Sequence, residues 1–134
     1  MYKKIIVGLA LDHGISQAAL EAARSLKDKG GKIIALHVYE PPNSSVRAYL
    51  DDDLVAGAHE AAKKLLAERV GGETDVEPVM LMGHSGRAIT DYASEIGADC
   101  IVVGSHKPEL ADFFLGSTAA RVVRHAPCAV HVLR

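Results

Sequence analysis

The chain has no tryptophan, and aromatic residues make up only 4% of its 134 positions. With hydrophobic content at 49%, a core has to be assembled from Ile, Val, Leu and Ala. Basic surplus is also missing: the formal net charge is −2 and the pI is near 6.4. With no basic stripe interleaved with aromatics, wrapping of nucleic acid is excluded as a function class. Apolar runs such as Ile101-Val102-Val103 are far too short to span a membrane. The start, Met1-Tyr2-Lys3-Lys4, leads directly into a strand-like run without a cleavage-site pattern, as expected of a cytoplasmic protein. Cysteine is scarce, with only Cys100 and Cys128 and no CxxC pair. Two buried free thiols are expected, and a redox switch between them is the other reading. Several motifs are absent as well. No G-x-x-x-x-G-K-[ST] loop occurs, and Gly8 and Gly14 do not fit a dinucleotide fingerprint after the first strand. His59-Glu60 opens a zinc-protease pattern that fails at Lys63. Gly83-His84-Ser85-Gly86 has the wrong spacing for a nucleophile elbow.

What is present is an alternation of short β-branched runs and longer helical patterns. Residues 4–11 read as a buried strand, and 16–29 as a helix with Ala19, Ala22, Ala23 and Leu26 on one face and Gly30-Gly31 as its stop. Residues 32–39 form a second strand, ended by Pro41-Pro42. Asp51-Asp52-Asp53 precedes a helix carrying Leu54, Ala58, Ala61, Leu65 and Leu66, closed by Gly71-Gly72. The acids complement the dipole at that helix start. Residues 76–82 are a third strand. Ser85 is expected to cap a helix with Ile89, Ala93 and Ile96, ended by Gly97. Residues 100–103 form a fourth strand, 118–125 a last helix and 129–133 a fifth strand. The order βαβαβαβαβ predicts one α/β domain over residues 1–134: a doubly wound parallel sheet with helices on both faces. Residues 41–50 form the one loop long enough to act as a lid.

In such sheets ligands bind beyond the carboxyl ends of the strands, where the chain order reverses. The loops after strands one, two and four meet there. The last of these carries the chemistry. Gly104-Ser105-His106-Lys107-Pro108 leads, after a polar stretch, to Leu115-Gly116-Ser117-Thr118 at a helix start. Unpaired N–H groups and the positive dipole end suit an anion such as phosphate, and glycines let backbone approach it. Taken alone, Gly104 and Gly116 also read as ordinary turn glycines. His106 serves equally as a backbone-bonded loop histidine, and Lys107 as a solvated lysine. His37 and His131 fall within strands, where local hydrogen bonds or an exposed edge satisfy them; His125 suits the carbonyl end of a helix.

The chain resembles the universal stress proteins over nearly its whole length. The resemblance rests on Val102-Val103-Gly104-Ser105-His106, Leu115-Gly116-Ser117-Thr118, Ala119-Ala120-Arg121-Val122-Val123-Arg124-His125-Ala126, Cys128-Ala129-Val130-His131-Val132 and Leu36-His37-Val38. It implies a five-stranded parallel sheet of order 3-2-1-4-5 and, in many members, a homodimer. One branch binds ATP through a Gly, two residues, Gly, nine residues, Gly, Ser/Thr pattern. Carried over, Gly104 is the first glycine and Gly116 the last. Ser117 and Thr118 bind phosphate, Ser105 and His106 line its loop, Val38 meets adenine through its backbone, and Val103 packs near the base. The second glycine is replaced by Lys107, before Pro108, and the loop is one residue short. A residue before proline is held extended, so the loop takes another path and Lys107 can bring charge to the phosphates. This Ser-His-basic-Pro loop is similar to that of one subgroup in which nucleotide binding is still attributed. Where the family has an Asp for ribose or metal, an ungapped match gives Ala10; Asp12, two residues on, takes the role if the strand end bulges. The expectation is an adenine-nucleotide-binding regulatory protein of the stress response. ATP is favoured over AMP, AMP or ADP being the other candidates, magnesium is a companion ion, and the dimer forms through the C-terminal strand. The alternatives are a dimeric interaction module without nucleotide, and a weak ATPase or self-phosphorylating protein.

Overall fold

The computed structural model describes residues 1–10, 17–105 and 115–134. In chain order the elements are β1 (Tyr2–Leu9), α1 (Gln17–Leu26), β2 (Lys27–Tyr39), α2 (Ser44–Arg47), α3 (Asp52–Val70), β3 (Val76–Met82), α4 (Ser85–Ile96), β4 (Cys100–Gly104), α5 (Ser117–His125) and β5 (Ala129–Leu133). The strands make one parallel sheet in the order β3-β2-β1-β4-β5. Both the parallel pairing and the order agree with expectation.

The period of two along each strand divides the core into two layers. Ile5, Val7, Ile33, Ala35, Cys100 and Val102 face Ala19, Leu20 and Ala23 of α1 and Leu66 and Val70 of α3. Ile6, Ile34, Leu36, Val38, Ile101 and Val103 face Ile89 and Ala93 of α4 and Ala119 and Val122 of α5. A central strand buried on both sides has to read as an unbroken apolar run, which is what residues 5–7, 33–36 and 100–103 do. Each fully buried Leu or Ile in such a layer contributes about 1.5–3 kcal/mol. Among the described residues, no helix is long and apolar enough to cross a membrane.

β1 and β4, the two strands flanking the chain reversal, are pinned at their far end by Asp99. Its carboxylate accepts the N–H groups of Lys3 at 2.8 Å and Lys4 at 2.9 Å. Burial pushes the Asp99 carboxyl up, but these bonds outweigh it and hold the group below the usual carboxylate range.

Three expectations are corrected. Residues 27–29 belong to β2 and not to the first helix: Lys27 pairs with Tyr2, and the register shifts between Tyr2 and Lys4. The Gly30-Gly31 pair therefore serves an irregular strand rather than a helix stop, with Gly30 at φ 80°. Ser85 is the first residue of α4 and not its cap, which is His84. Inside the expected loop 41–50 lies the single turn α2, capped by Asn43, whose side chain accepts the Val46 N–H at 2.8 Å. The stop at Gly97 is as expected, in the left-handed conformation.

Candidate functional site

The chain reverses direction between β1 and β4, so the crevice beyond their carboxyl ends is where a ligand fits this architecture. The described part of that corner is built by the ends of β2 and β4 and the starts of α4 and α5. Val38 and Val103 lie in the same buried layer beneath it. Gly104 ends β4 and is exposed, and a side chain added there would meet none of the described residues within 4 Å. Ser105 is buried, and its N–H is taken by the Leu133 carbonyl at 2.8 Å. That amide serves the sheet, so Ser105 offers the corner no free backbone donor.

Among the described residues, no side chain caps the start of α5. Its N-cap is Gly116, at φ 60° and ψ 144°, a conformation that L side chains rarely adopt. Ser117 is exposed, and Thr118 is half-buried. The start of α4 lies alongside: Ser85 Oγ is 3.0 Å from Thr118 Oγ1. Glu40, one residue beyond β2, accepts the Ser85 N–H at 2.9 Å. That hydrogen bond holds the Glu40 carboxyl below its ordinary range. Of two neighbouring helix starts, α4 is thus answered by a carboxylate, and α5 has no side-chain cap among the described residues.

Of the residues expected at the site, Val38 and Val103 share one buried layer, Gly104 and Ser105 stand at and just beyond the end of β4, and Gly116, Ser117 and Thr118 stand at the start of α5. Asp12, His106 and Lys107, with Pro108, lie outside the described residues. Glu40 and Ser85 were not anticipated. Their contacts join positions 45 and 33 residues apart, and no local pattern signals them.

The remaining candidates resolve into structural roles. His37 Nδ1 is 3.0 Å from the Leu9 carbonyl, the local satisfaction expected of it. His125 stands in the last turn of α5. His59 meets Tyr39 edge to face, with ring centroids 5.3 Å apart. The two rings line a hollow of about 270 Å³ together with Arg47, Asp52, Val55 and Met82. Both cysteines are free. Cys100 faces the α1–α3 layer, whereas Cys128 packs on the α4–α5 layer, so the two thiols point to opposite faces of the sheet. Burial pushes the Cys100 thiol up to about 11, far from a reactive thiolate.

Sheet order and helices on both faces define a doubly wound α/β domain. The profile of the Universal stress protein family matches residues 1–134, and the chain belongs to that family. It is 30% identical to universal stress protein A homolog 2 of Coxiella burnetii, over 99% of this chain and 95% of that one. Among solved structures it resembles universal stress protein UspA from Lactobacillus plantarum, with a TM-score of 0.70, 26% identity, and 99% and 98% of the two chains covered. Two structures share the fold at lower identity. One is a universal stress protein in complex with cAMP (TM-score 0.63, 24% identity, 99% and 97% covered). The other is the universal stress protein from Archaeoglobus fulgidus in complex with dAMP (TM-score 0.58, 21% identity, 99% and 98% covered).

Proposed function

We propose that the protein is an adenine-nucleotide-binding regulatory protein of the stress response, with ATP favoured over AMP. The observation that carries this reading is the start of α5, at the reversal point of the sheet: among the described residues its N-terminus has no side-chain cap, Ser117 is exposed and the space over Gly104 is open. The cAMP and dAMP complexes of proteins with this fold support an adenine nucleotide as the anion. In this reading the base lies over the ends of β1, β2 and β4, near the Val38 backbone and the Val103 side chain. The phosphates lie against the N–H groups of Ser117 and Thr118 and the Ser117 hydroxyl. His106 and Lys107 complete the phosphate loop, and Asp12 serves the ribose or a magnesium ion. A bound nucleotide supplies the regulatory signal, and the protein's part is to hold it. A neutral hydrogen bond contributes about 1 kcal/mol net, and one to a charged oxygen contributes more. Several together reach useful affinity without a dedicated catalytic group. Calorimetric titration of nucleotide-stripped protein with ATP, with and without magnesium, tests the reading. Saturable heat at one site per chain is expected. No heat and no thermal shift at millimolar ATP would overturn it.

A second reading, compatible with the first, is an interaction module that pairs with its own copy. β5 is an edge strand that pairs only with β4 among the described residues, and Ala129 and His131 on it are exposed. Edges of this kind invite pairing across a two-fold axis. A dimer mass at micromolar concentration is expected; a monomer mass would reject it.

A further inference from the structure

β3 closes one edge of the sheet and pairs only with β2 among the described residues. The Gly83 N–H donates to the Tyr39 carbonyl at 3.0 Å, so the odd-numbered positions along β3 turn their backbone groups toward β2. The even-numbered ones, Pro78, Met80 and Met82, turn theirs outward. Pro78 has no N–H to offer, which suits that side, and together with the exposed Glu77 it protects the first half of the edge from pairing. No such device stands at Met80 and Met82, and Met82 is 57% exposed.

Two hollows flank this second half, one on each face of the sheet, and Met82 borders both. The hollow on the α3 face, about 270 Å³, is lined by Tyr39, Val55 and Met82 together with Arg47, Asp52 and Glu60. The hollow on the α4 face, about 310 Å³, is lined by Leu81 and Tyr92 together with Arg87, Asp91 and Glu95. Both volumes stand near the lower limit of ligand sites, about 300 Å³, and suit a side chain rather than a cofactor. In each hollow two carboxylates accompany one guanidinium and one imidazole, His59 or His84. Above the range where histidine titrates, the balance is negative. Burial, Glu77 and Glu95 together push the Tyr92 phenol up, which places a further acid beside the second hollow.

We propose that the outer edge of β3 from Met80 to Met82 takes an extended basic segment of another protein as an added strand, with neighbouring basic side chains entering the two hollows. Adjacent residues of a strand point to opposite faces, so two consecutive basic residues reach both hollows. Their aliphatic stems lie on Met82, Val55 and Leu81, and their cationic heads meet the carboxylates and the rings of Tyr39 and Tyr92. A second copy of this chain is the poorer occupant, because two β3 edges would set the acids of one against those of the other.

The probe is the peptide acetyl-Thr-Val-Arg-Lys-Val-Thr-amide, titrated into the full chain at about pH 7.5 and followed by amide-resolved NMR. Saturable shifts at Met80, Met82 and Gly83 are expected. The same peptide with glutamate at both basic positions should bind about tenfold more weakly. Glu60→Lys and Glu95→Lys, both at exposed helix positions, should each weaken the basic peptide about two- to fivefold. If one variant does not fold, the other decides. An added strand uses every second peptide N–H, so N-methylation at one alternate set of residues should abolish binding and at the other set should spare it. Equal binding of the two methylated peptides would mean charge attraction without strand pairing and would overturn the proposal. Equal binding of the glutamate peptide, or Met80 and Met82 left unshifted, would overturn it as well. Shifts at these amides on raising the protein concentration without peptide would make a second copy the occupant and reject the basic segment.

Discussion

Replacing Ser117 by alanine separates binding from folding at the start of α5. The side chain is exposed, at the first residue of the helix, and no described contact holds it. Folding therefore has little to lose. Exposed substitutions of this kind shift stability by about 0.5 kcal/mol or less, a change of about 2 °C in melting temperature for a chain of this size. Binding has more to lose, because a hydrogen bond to a charged phosphate oxygen contributes about 1.5–3 kcal/mol. That corresponds to roughly a ten- to hundredfold weaker ATP affinity. The neighbouring change, Gly116→Ala, should behave differently. Its backbone at φ 60° and ψ 144° is strained for any side chain, at a cost of about 1–3 kcal/mol, so melting temperature and affinity should fall together. Calorimetry and thermal melting on both variants measure all four quantities. Equal ATP affinity in Ser117→Ala and wild type would refute the argument, as would a large loss of stability in Ser117→Ala.

Arg24→Ala should lower stability by about 1 kcal/mol at low salt. The guanidinium makes a bidentate pair with Asp75 at 2.8 Å and reaches Glu73, but all three groups are partly exposed, which limits the loss. Its hydrogen bond with Arg24 holds the Asp75 carboxyl below its ordinary value. The contribution should therefore be complete above about pH 4, the unfolded value, and disappear as pH falls through the lower folded value. A wild-type minus variant difference that stays flat down to pH 2 in chemical denaturation would contradict this. Cys100 should react with a thiol reagent only on unfolding, and oxidation should produce no Cys100–Cys128 bond within a chain; mass spectrometry of oxidised native protein checks both. Gly86→Ala should loosen the α4–α5 contact, because a Cβ there would lie 2.8 Å from Arg121 Cδ and 3.0 Å from Arg121 Cβ. A fall in melting temperature of several degrees and weaker ATP binding are expected; unchanged values of both would show that the two helices do not depend on that approach.

Much of the fold was legible because burial on both faces leaves a plain record. β3 and β5 have the bounds that their apolar runs and flanking turns indicated, and β4 differs by one residue. The end of α1 was misread because Gly30-Gly31 looks like a helix stop. The competing demand, pairing of Lys27 with Tyr2, comes from a strand 25 residues earlier and leaves no local mark. The glycine-hydroxyl-hydroxyl step at 116–118 was legible as a helix start, and α5 begins there, at Ser117 behind the N-cap Gly116. The Glu40–Ser85–Thr118 connection was not, because each residue has an ordinary local role: strand exit, helix first turn, helix first turn. Only the sheet order brings them side by side. Ser85 in particular reads as a cap in sequence, yet its own N–H is served by Glu40.

The most direct test of the central claim is amide-resolved NMR of the full chain during ATP addition. The account expects the largest shifts at Gly104, Ser117, Thr118 and Ala119, reaching saturation together. Shifts confined to the hollow around Tyr39, Arg47 and His59, with the first turn of α5 unmoved, would contradict it.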